Sequence, residues 1–460
     1  MLLKDHKEIA IILALFLIVN FIFLIFYDDV WWDSSVYIGM GKYIYSLGKA
    51  GLWEESRPLI LPLIIGLGWL LDFNVVYFAR VLSIIFAISV IFMVYLIGSK
   101  LFSRKIGLLA ALFTAFSYHF LFFSPNILTE IPSTFFVLLA FYFFIENKFF
   151  LVGLFSGIAV MTRLFQVFTL IGIGLTFLLY FYNKKYFHRR LHLIIFGFLI
   201  FILPYAVLNY SLYHDVLLPF KSQTHLTKTT GWMLYKEYEF YFTGLLKENF
   251  FILFLLLIPF FYKRNYKFSA LVLVPLIYLA IFSVVKHKEM RFVVVILPFL
   301  YMFMSYILFE IYSKISYKKL SLAVFFILVV FWLVSAGFAL KGAVDYKNTD
   351  EGLLYFQNYL KENKGNVWIS NPLYTLYSDE KVEGLLYFYS SENLIKFIED
   401  NKGKVDIVMF NNCDMPCPPE ELDSLCGKSR KVLSDTLSRF KKVYGKEVNS
   451  CEYQIFRKAT

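Results

Sequence analysis

The stretch IAIILALFLIVNFIFLIF, residues 9–26, holds a single polar side chain, Asn20, in eighteen positions. A bilayer core needs about 20 mostly apolar residues to be crossed by a helix, and a soluble core rarely uses such a run. Comparable segments recur at roughly 8–26, 75–98, 106–124, 132–146, 149–162, 164–182, 191–212, 249–262, 268–285, 293–312 and 320–340. Satisfying backbone polar groups in lipid restricts these runs to helices, so an α-helical, polytopic membrane protein of about eleven spans is expected. The composition agrees, with 59% hydrophobic and only 17% charged residues. The first run is too long for a signal-peptide core and has no small-residue cleavage site before YDDVWW, so it is expected to stay as the first span.

The net charge of +11 does not indicate nucleic acid, because Lys and Arg fall in short clusters between apolar runs. Those clusters set the topology. Residues 58–71, PLILPLIIGLGWLL, are short and carry two prolines, as an interfacial or re-entrant helix would. If they do not span, SRK (103–105), NKKYFHRR (183–190), YKRNYK (262–267) and SKISYKK (313–319) all share the side of Lys4 and Lys7. The positive-inside rule makes that side cytoplasmic. The opposite face, a plasma-membrane exterior or an organelle lumen such as that of the endoplasmic reticulum, then receives residues 27–58, 124–130 and 214–248, the cluster KHKEMR (286–291), and everything after residue 340.

Cations at a non-cytoplasmic lip need a reason to be there. One reading is that they snorkel as interface anchors. The other is an anion site, in which Arg291 forks onto a phosphate, Lys288 adds a point charge and His287 donates or relays a proton. From about residue 341 the chain takes on the periodicity of a small soluble α/β domain, giving expected domains of 1–340 and 341–460. Helices are predicted at 351–363 and 391–400, and strands at 366–370 and 404–410. Cys413, Cys417, Cys426 and Cys451 all lie in this segment, an even number in a domain placed outside, which favours disulfides over free thiols or zinc. A bond within CDMPC, with Cys426 and Cys451 as the second pair, is the expected pairing.

HKEMRF (287–292) resembles the His-Lys-Glu-x-Arg-Phe signature of mannosyltransferases that use dolichyl-phosphate mannose, members of the GT-C superfamily. The first loop, WDSSVYIGMGKYIYSLGKAGLWEESRPLILPLIIG (32–66), is similar to the acid, Tyr, amphipathic helix and Arg-Pro-x-Leu series of the protein-O-mannosyltransferase and aminoarabinose-transferase branch. VYFARVLSII (76–85) and LTEIPSTFF (128–136) resemble the segments that follow. Many relatives carry adjacent Asp-Glu in the first loop, whereas Asp33 precedes Ser34 and Ser35, which leaves Asp28 and Asp29 as rival acids. The resemblance implies a GT-C-like transmembrane domain and an inverting transfer of a sugar, mannose first, from a polyprenyl or dolichyl phosphate. The acceptor would be a hydroxyl on a lipid, glycan or protein.

The chemistry suits the residues independently. Such a transfer needs one carboxylate to take the acceptor proton and cations to hold the departing phosphate, whereas a glycosidase needs two flanking carboxyls. It needs no cofactor, though a divalent metal is compatible with it. Asp33 is the favoured base; its other reading is an N-cap of the helix predicted over 34–47. Glu130 can position the acceptor, or be a solvated loop acid. Glu54, Glu55, Arg57 and Glu289 are candidates for acceptor contact or site shaping, as are Arg80 and Arg163 unless these snorkel. A transporter or flippase of a lipid-linked solute is the alternative class, but those tend to show internal repeats and mid-membrane charges.

Overall fold

In the computed structural model the described residues are 7–314 and 363–458, with exceptions at 28–29, 230–232, 249–252, 254–255, 263–264, 387–390, 422 and 449, together with scattered positions between 315 and 362. Asp28 and Asp29, part of the expected span 249–262, most of the expected span 320–340 and most of the expected helix 351–363 therefore lie outside them. Two compact units emerge. The first comprises residues 1–28, 80–220 and 234–347; the second comprises 29–79, 221–233 and 348–460. The boundary expected near 340 thus falls close to the last stretch of the second unit, which also takes in the first loop.

The first unit is helical. Its apolar runs become α1 (Lys7–Phe26) and most of α4 (Val75–Leu101), then α5 (Arg104–Ala115), α6 (Tyr118–Phe123), α7 (Glu130–Ile145) and α8 (Phe149–Thr162). They continue as α9 (Val167–Phe181), α10 (Phe187–Tyr213), α12 (Phe240–Glu248), α13 (Ile258–Phe261), α14 (Tyr266–Val284) and α15 (Leu297–Lys314), with α11 (Leu218–Thr229) crossing into the second unit. Among the described residues, five helical segments are long and apolar enough to cross a membrane, and the protein is an integral membrane protein. Others are shorter: α7 has 16 residues and α8 has 14, and the run expected at 106–124 is split between α5 and α6. The span predicted at 293–312 opens within a 3-10 segment, Met290–Val295, before α15 begins.

The second unit opens with α2 (Trp32–Tyr45) and α3 (Ile60–Leu70). With 11 residues α3 is too short to span, in keeping with its reading as interfacial or re-entrant. The two helices meet where Gly41 faces Gly66: a Cβ on Gly41 would come 2.9 Å from the Gly66 Cα, so neither position has room for a side chain. The C-terminal part is a five-stranded sheet in the order β2-β1-β3-β5-β4. Its strands are β1 (Val367–Ile369), β2 (Val382–Leu385), β3 (Ile407–Asn411), β4 (Phe440–Val448) and β5 (Cys451–Lys458). β1 runs parallel to β2 and β3, and β5 is antiparallel to β3 and β4.

Side chains alternate across this sheet with period two. Trp368 and Val408 pack with Leu394 and Ile398 of α16 (Ser391–Asn401) and Leu433 and Leu437 of α17 (Cys426–Leu437). Val367, Ile369, Ile407, Met409 and Ile455 face the other way, where Tyr374 covers them and Trp32 of α2 packs against them. Sequence reading found β1, β3 and α16 but missed β2, the β4–β5 hairpin and α17.

The expected cysteine pairing is corrected. Cys413 joins Cys451, with Cα atoms 5.5 Å apart, and Cys417 joins Cys426 at 5.8 Å. The reason is register: Asn411 lies opposite Tyr453, so the turn after β3 brings Cys413 to the start of β5. Nearness in sequence within CDMPC counted for less than the strand pairing.

Candidate active site

Two polar clusters contain the candidate residues, one in each unit. In the second unit, the N-cap of α2 is Trp31, which places Asp33 inside the first turn and removes its reading as the cap. A carboxylate there also gains from the positive end of the helix. Asp33 Oδ1 accepts from Arg57 Nη2 at 2.7 Å, and Glu54 Oε1 accepts from Arg57 Nε at 2.8 Å and from the Ser56 hydroxyl at 2.6 Å. The Tyr37 hydroxyl accepts from Arg57 Nη1 at 3.4 Å. Tyr37 is the Tyr of the first-loop series, and its place four residues after Asp33 puts both on one helical face.

Exposure separates the two acids. The Asp33 side chain is 14% exposed and that of Glu54 only 3%, so Asp33 is the more accessible carboxylate of the pair. Burial opposes the charge on Arg57, but Asp33 and then Glu54 outweigh it and raise its pKa, keeping the guanidinium cationic. Glu55 accepts from the Ser222 hydroxyl at 2.7 Å, a separate contact within the same unit.

In the first unit, Glu289 has extended backbone before the 3-10 turn. His287, Glu289 and Arg291 converge. His287 Nε2 lies 2.7 Å from Glu289 Oε1, which also accepts from Arg291 Nη2 at 2.7 Å. Arg291 Nε stands 3.8 Å from Glu130 Oε1, and Arg163 Nη1 stands 3.1 Å from the same oxygen. Burial alone would raise the Glu289 carboxyl, yet Arg291 and His287 prevail and hold it below the usual range.

Glu130 and Arg163 are placed by helix ends. Glu130 is the first residue of α7, whose Pro132 suits a first turn, and Arg163 ends α8 in extended backbone with its guanidinium 5.0 Å from the Phe292 ring centroid. Their side chains are 4% and 7% exposed. Glu130 is therefore no solvated loop acid, and Arg163 does not snorkel. Arg80 is also buried, donating to the Tyr27 carbonyl at 2.9 Å, which is a helix-anchoring contact.

Lys288 turns the other way from its neighbours. Its Nζ donates to the Lys236 carbonyl at 2.8 Å and sits near the Tyr235 and Tyr238 rings, while its backbone N–H donates to the Leu234 carbonyl. Burial lowers its pKa, with Glu237 and Glu239 opposing. The signature is thus split: alternate residues serve the cluster, and the lysine between them ties the segment to 234–238.

A cavity of about 490 Å³ opens beside Met290, lined by Tyr118, His119, Phe240, Glu248 and Phe338 among others. Among the described residues, no three His, Cys, Asp or Glu side chains form a group able to hold a metal ion.

Residues 56–208 match the family described as dolichyl-phosphate-mannose-protein mannosyltransferase. That stretch contains Arg57, Arg80, Glu130 and Arg163, but neither Asp33 nor the 287–291 segment. No curated protein sequence matches the chain. Among solved structures, ArnT from Cupriavidus metallidurans bound to undecaprenyl phosphate is similar with a TM-score of 0.66 at 11% identity, covering 98% of both chains. The archaeal oligosaccharyltransferase AglB from Archaeoglobus fulgidus, in complex with an inhibitory peptide and a dolichol-phosphate, gives 0.56 at 12% identity, over all of this chain and 75% of that one. The arabinofuranosyltransferase AftD from Mycobacteria gives 0.51 at 11% identity, over 99% of this chain and 40% of that one. The chain shares its fold with these solved structures, in keeping with the HKEMRF and first-loop resemblances.

Proposed function

We propose that this protein is a GT-C-type membrane glycosyltransferase that moves one sugar, mannose first among the candidates, from a polyprenyl or dolichyl phosphate to a hydroxyl on a lipid, glycan or protein acceptor. The observation that carries this reading is the network of buried Glu130 and Arg163 with part-buried Glu289 and Arg291, His287 resting on Glu289, inside a chain with that fold. Two guanidiniums share two carboxylates there, and the planar fork of Arg291 at the edge of that network suits a phosphate. The aromatic cavity beside Met290 suits an apolar chain attached to that phosphate.

In the reaction, the acceptor oxygen attacks the sugar C1 while the C1–O bond to phosphate breaks. The bond pair leaves with the polyprenyl phosphate, whose charge Arg291 stabilises, and attack from the opposite side inverts C1. Asp33 takes the acceptor proton; Arg57 and Glu54 hold its carboxylate in place. Arg163 positions Glu130 and, through it, Arg291. No cofactor enters these steps. The N-terminus is cytoplasmic and the C-terminal domain outside, which puts transfer on the non-cytoplasmic face; the basic loops support this orientation.

The test is transfer by the full chain in nanodiscs. Radiolabelled polyprenyl-phosphate sugars, dolichyl-phosphate mannose among them, are incubated with the protein and with membrane extract. Label should leave one donor and enter an acceptor with wild type and fail to do so with Asp33→Asn. Absence of transfer from every donor, or full transfer by Asp33→Asn, overturns the reading or the assignment of the base respectively.

A further inference from the structure

Among the described residues, α16 and α17 pack on one face of the C-terminal sheet. A sheet must cover both faces to bury its apolar side chains, and part of the second cover comes from the first loop. Trp32 packs against the cluster of Val367, Ile369, Ile407 and Met409, and Val382 of β2 packs against Val36, Met40 and Leu52. The polar contacts on this side are unusually long-range. The Thr375 hydroxyl is shared between two carbonyls, Ser35 at 3.0 Å and Pro372 at 2.8 Å, and both Thr375 and Ser35 are buried. Lys42 Nζ, also buried, lies 2.9 Å from Asp379 Oδ1 and donates to the Ser378 carbonyl at 3.1 Å. The Gly51 N–H donates to the Glu380 carbonyl, and the Val382 N–H to the Gly51 carbonyl.

The fit leaves no slack. A Cβ on Gly39 would come 2.9 Å from Leu52 Cγ and 3.0 Å from Thr375 Oγ1. These contacts grip α2 at both ends, at Trp32 and Ser35 and again at Lys42. Asp33 stands between the first two and is itself tied to Arg57. Desolvating the Lys42 ammonium is costly, and because its partner carboxylate is 65% exposed, the Ser378 carbonyl supplies the contact on the buried side.

We propose that the segment 375–382 is a positioning clamp for Asp33: Thr375 and the Lys42–Asp379 pair lock α2 onto the sheet, so that the C-terminal domain sets where the base carboxylate points. Thr375 and Asp379 are positioning residues rather than catalytic ones. The role of the base rests on the function proposed above, whereas the clamp itself can be tested without it.

The experiment uses the full chain in nanodiscs and pairs hydrogen–deuterium exchange with transfer kinetics for wild type, Thr375→Val, Thr375→Ser and Lys42→Met. Thr375→Val, which keeps shape and loses the hydroxyl, should raise amide exchange across residues 35–43 by about tenfold, the loss of a single hydrogen bond of about 1.4 kcal/mol. Exchange in β3 and β5 of the same sample should stay at wild-type rates. Thr375→Ser should restore protection. In transfer, kcat should fall about 10- to 100-fold for Thr375→Val with the donor KM within about twofold, as expected when a reacting group is misplaced by about an ångström. Lys42→Met should likewise raise exchange over 35–43.

Unchanged exchange over 35–43 in Thr375→Val, or equal loss in Thr375→Val and Thr375→Ser, overturns the clamp. Faster exchange with kcat unaltered overturns its link to Asp33. If wild type transfers no sugar, the functional reading fails while the exchange result still decides the clamp.

Discussion

The two polar clusters differ in their charge balance. Among the described residues, Arg163 and Arg291 of the first unit stand against Glu130 and Glu289, two of each sign; in the second, Arg57 stands against Asp33 and Glu54. Low exposure makes the balance count, because charges screened from water interact more strongly than exposed ones. A cluster that presents two guanidiniums can turn them onto an anion, and one with more carboxylates than cations suits the uptake of a proton. A reaction that expels a phosphate and deprotonates a hydroxyl asks for one of each, so the contrast is the physical basis of the proposed division of labour.

The sharpest way to break the contrast is at its acid. Asp33→Asn removes the spare carboxylate and should cost transfer about 10²–10⁴-fold, read as kcat in the labelled-sugar assay. Next comes the first unit's scaffold. Arg163→Ala leaves the buried Glu130 without its nearest guanidinium, and breaking a buried pair from one side costs about 3–5 kcal/mol, visible as a lowered midpoint of thermal unfolding.

The disulfides test the second unit alone. Cys413 and Cys451 are 38 residues apart and Cys417 and Cys426 only 9. Loop-closure entropy then predicts a loss of about 4 kcal/mol for Cys413→Ser paired with Cys451→Ser, against about 2.5 kcal/mol for the shorter loop. Non-reducing peptide mapping checks the pairing itself.

A smaller effect follows from pH. The Glu289 carboxyl is held below its ordinary range once Arg291 and His287 have overcome burial, so the stability it contributes is complete above its unfolded pKa and is lost as pH falls through the lower folded value. Acidifying from neutrality to below about pH 4 should loosen the 287–291 segment, and Glu289→Gln should flatten that acid limb in a melting profile. Smallest of all is Lys288→Met. Because this lysine faces the Lys236 carbonyl, donor binding should change less than about threefold, within the range of a remote, screened charge.

The legible parts of the molecule were those carried by local pattern. Apolar runs revealed the helices, and β1, β3 and α16 followed from short alternating or amphipathic segments. The contacts that build the sites are different in kind. Arg163 meets Glu130 only because α8 ends beside the start of α7, and Arg57 meets Asp33 across 24 positions of loop and helix. Five ionisable residues within the six of KHKEMR suggest one cluster, yet extended backbone sends Lys288 to the opposite side. Cysteine pairing was misread for the same reason, since β3–β5 register overrode proximity in the chain.

Binding of dolichyl phosphate, a phosphate lipid without its sugar, to the full chain in nanodiscs tests the division most directly. Asp33→Asn should bind as tightly as wild type, because the spare carboxylate plays no part in holding the anion. Arg291→Ala should bind at least about tenfold more weakly, as the loss of a charge-assisted fork predicts, and Arg291→Lys should recover only part of that. Wild-type binding by Arg291→Ala, or equal weakening in Asp33→Asn and Arg291→Ala, would contradict the account.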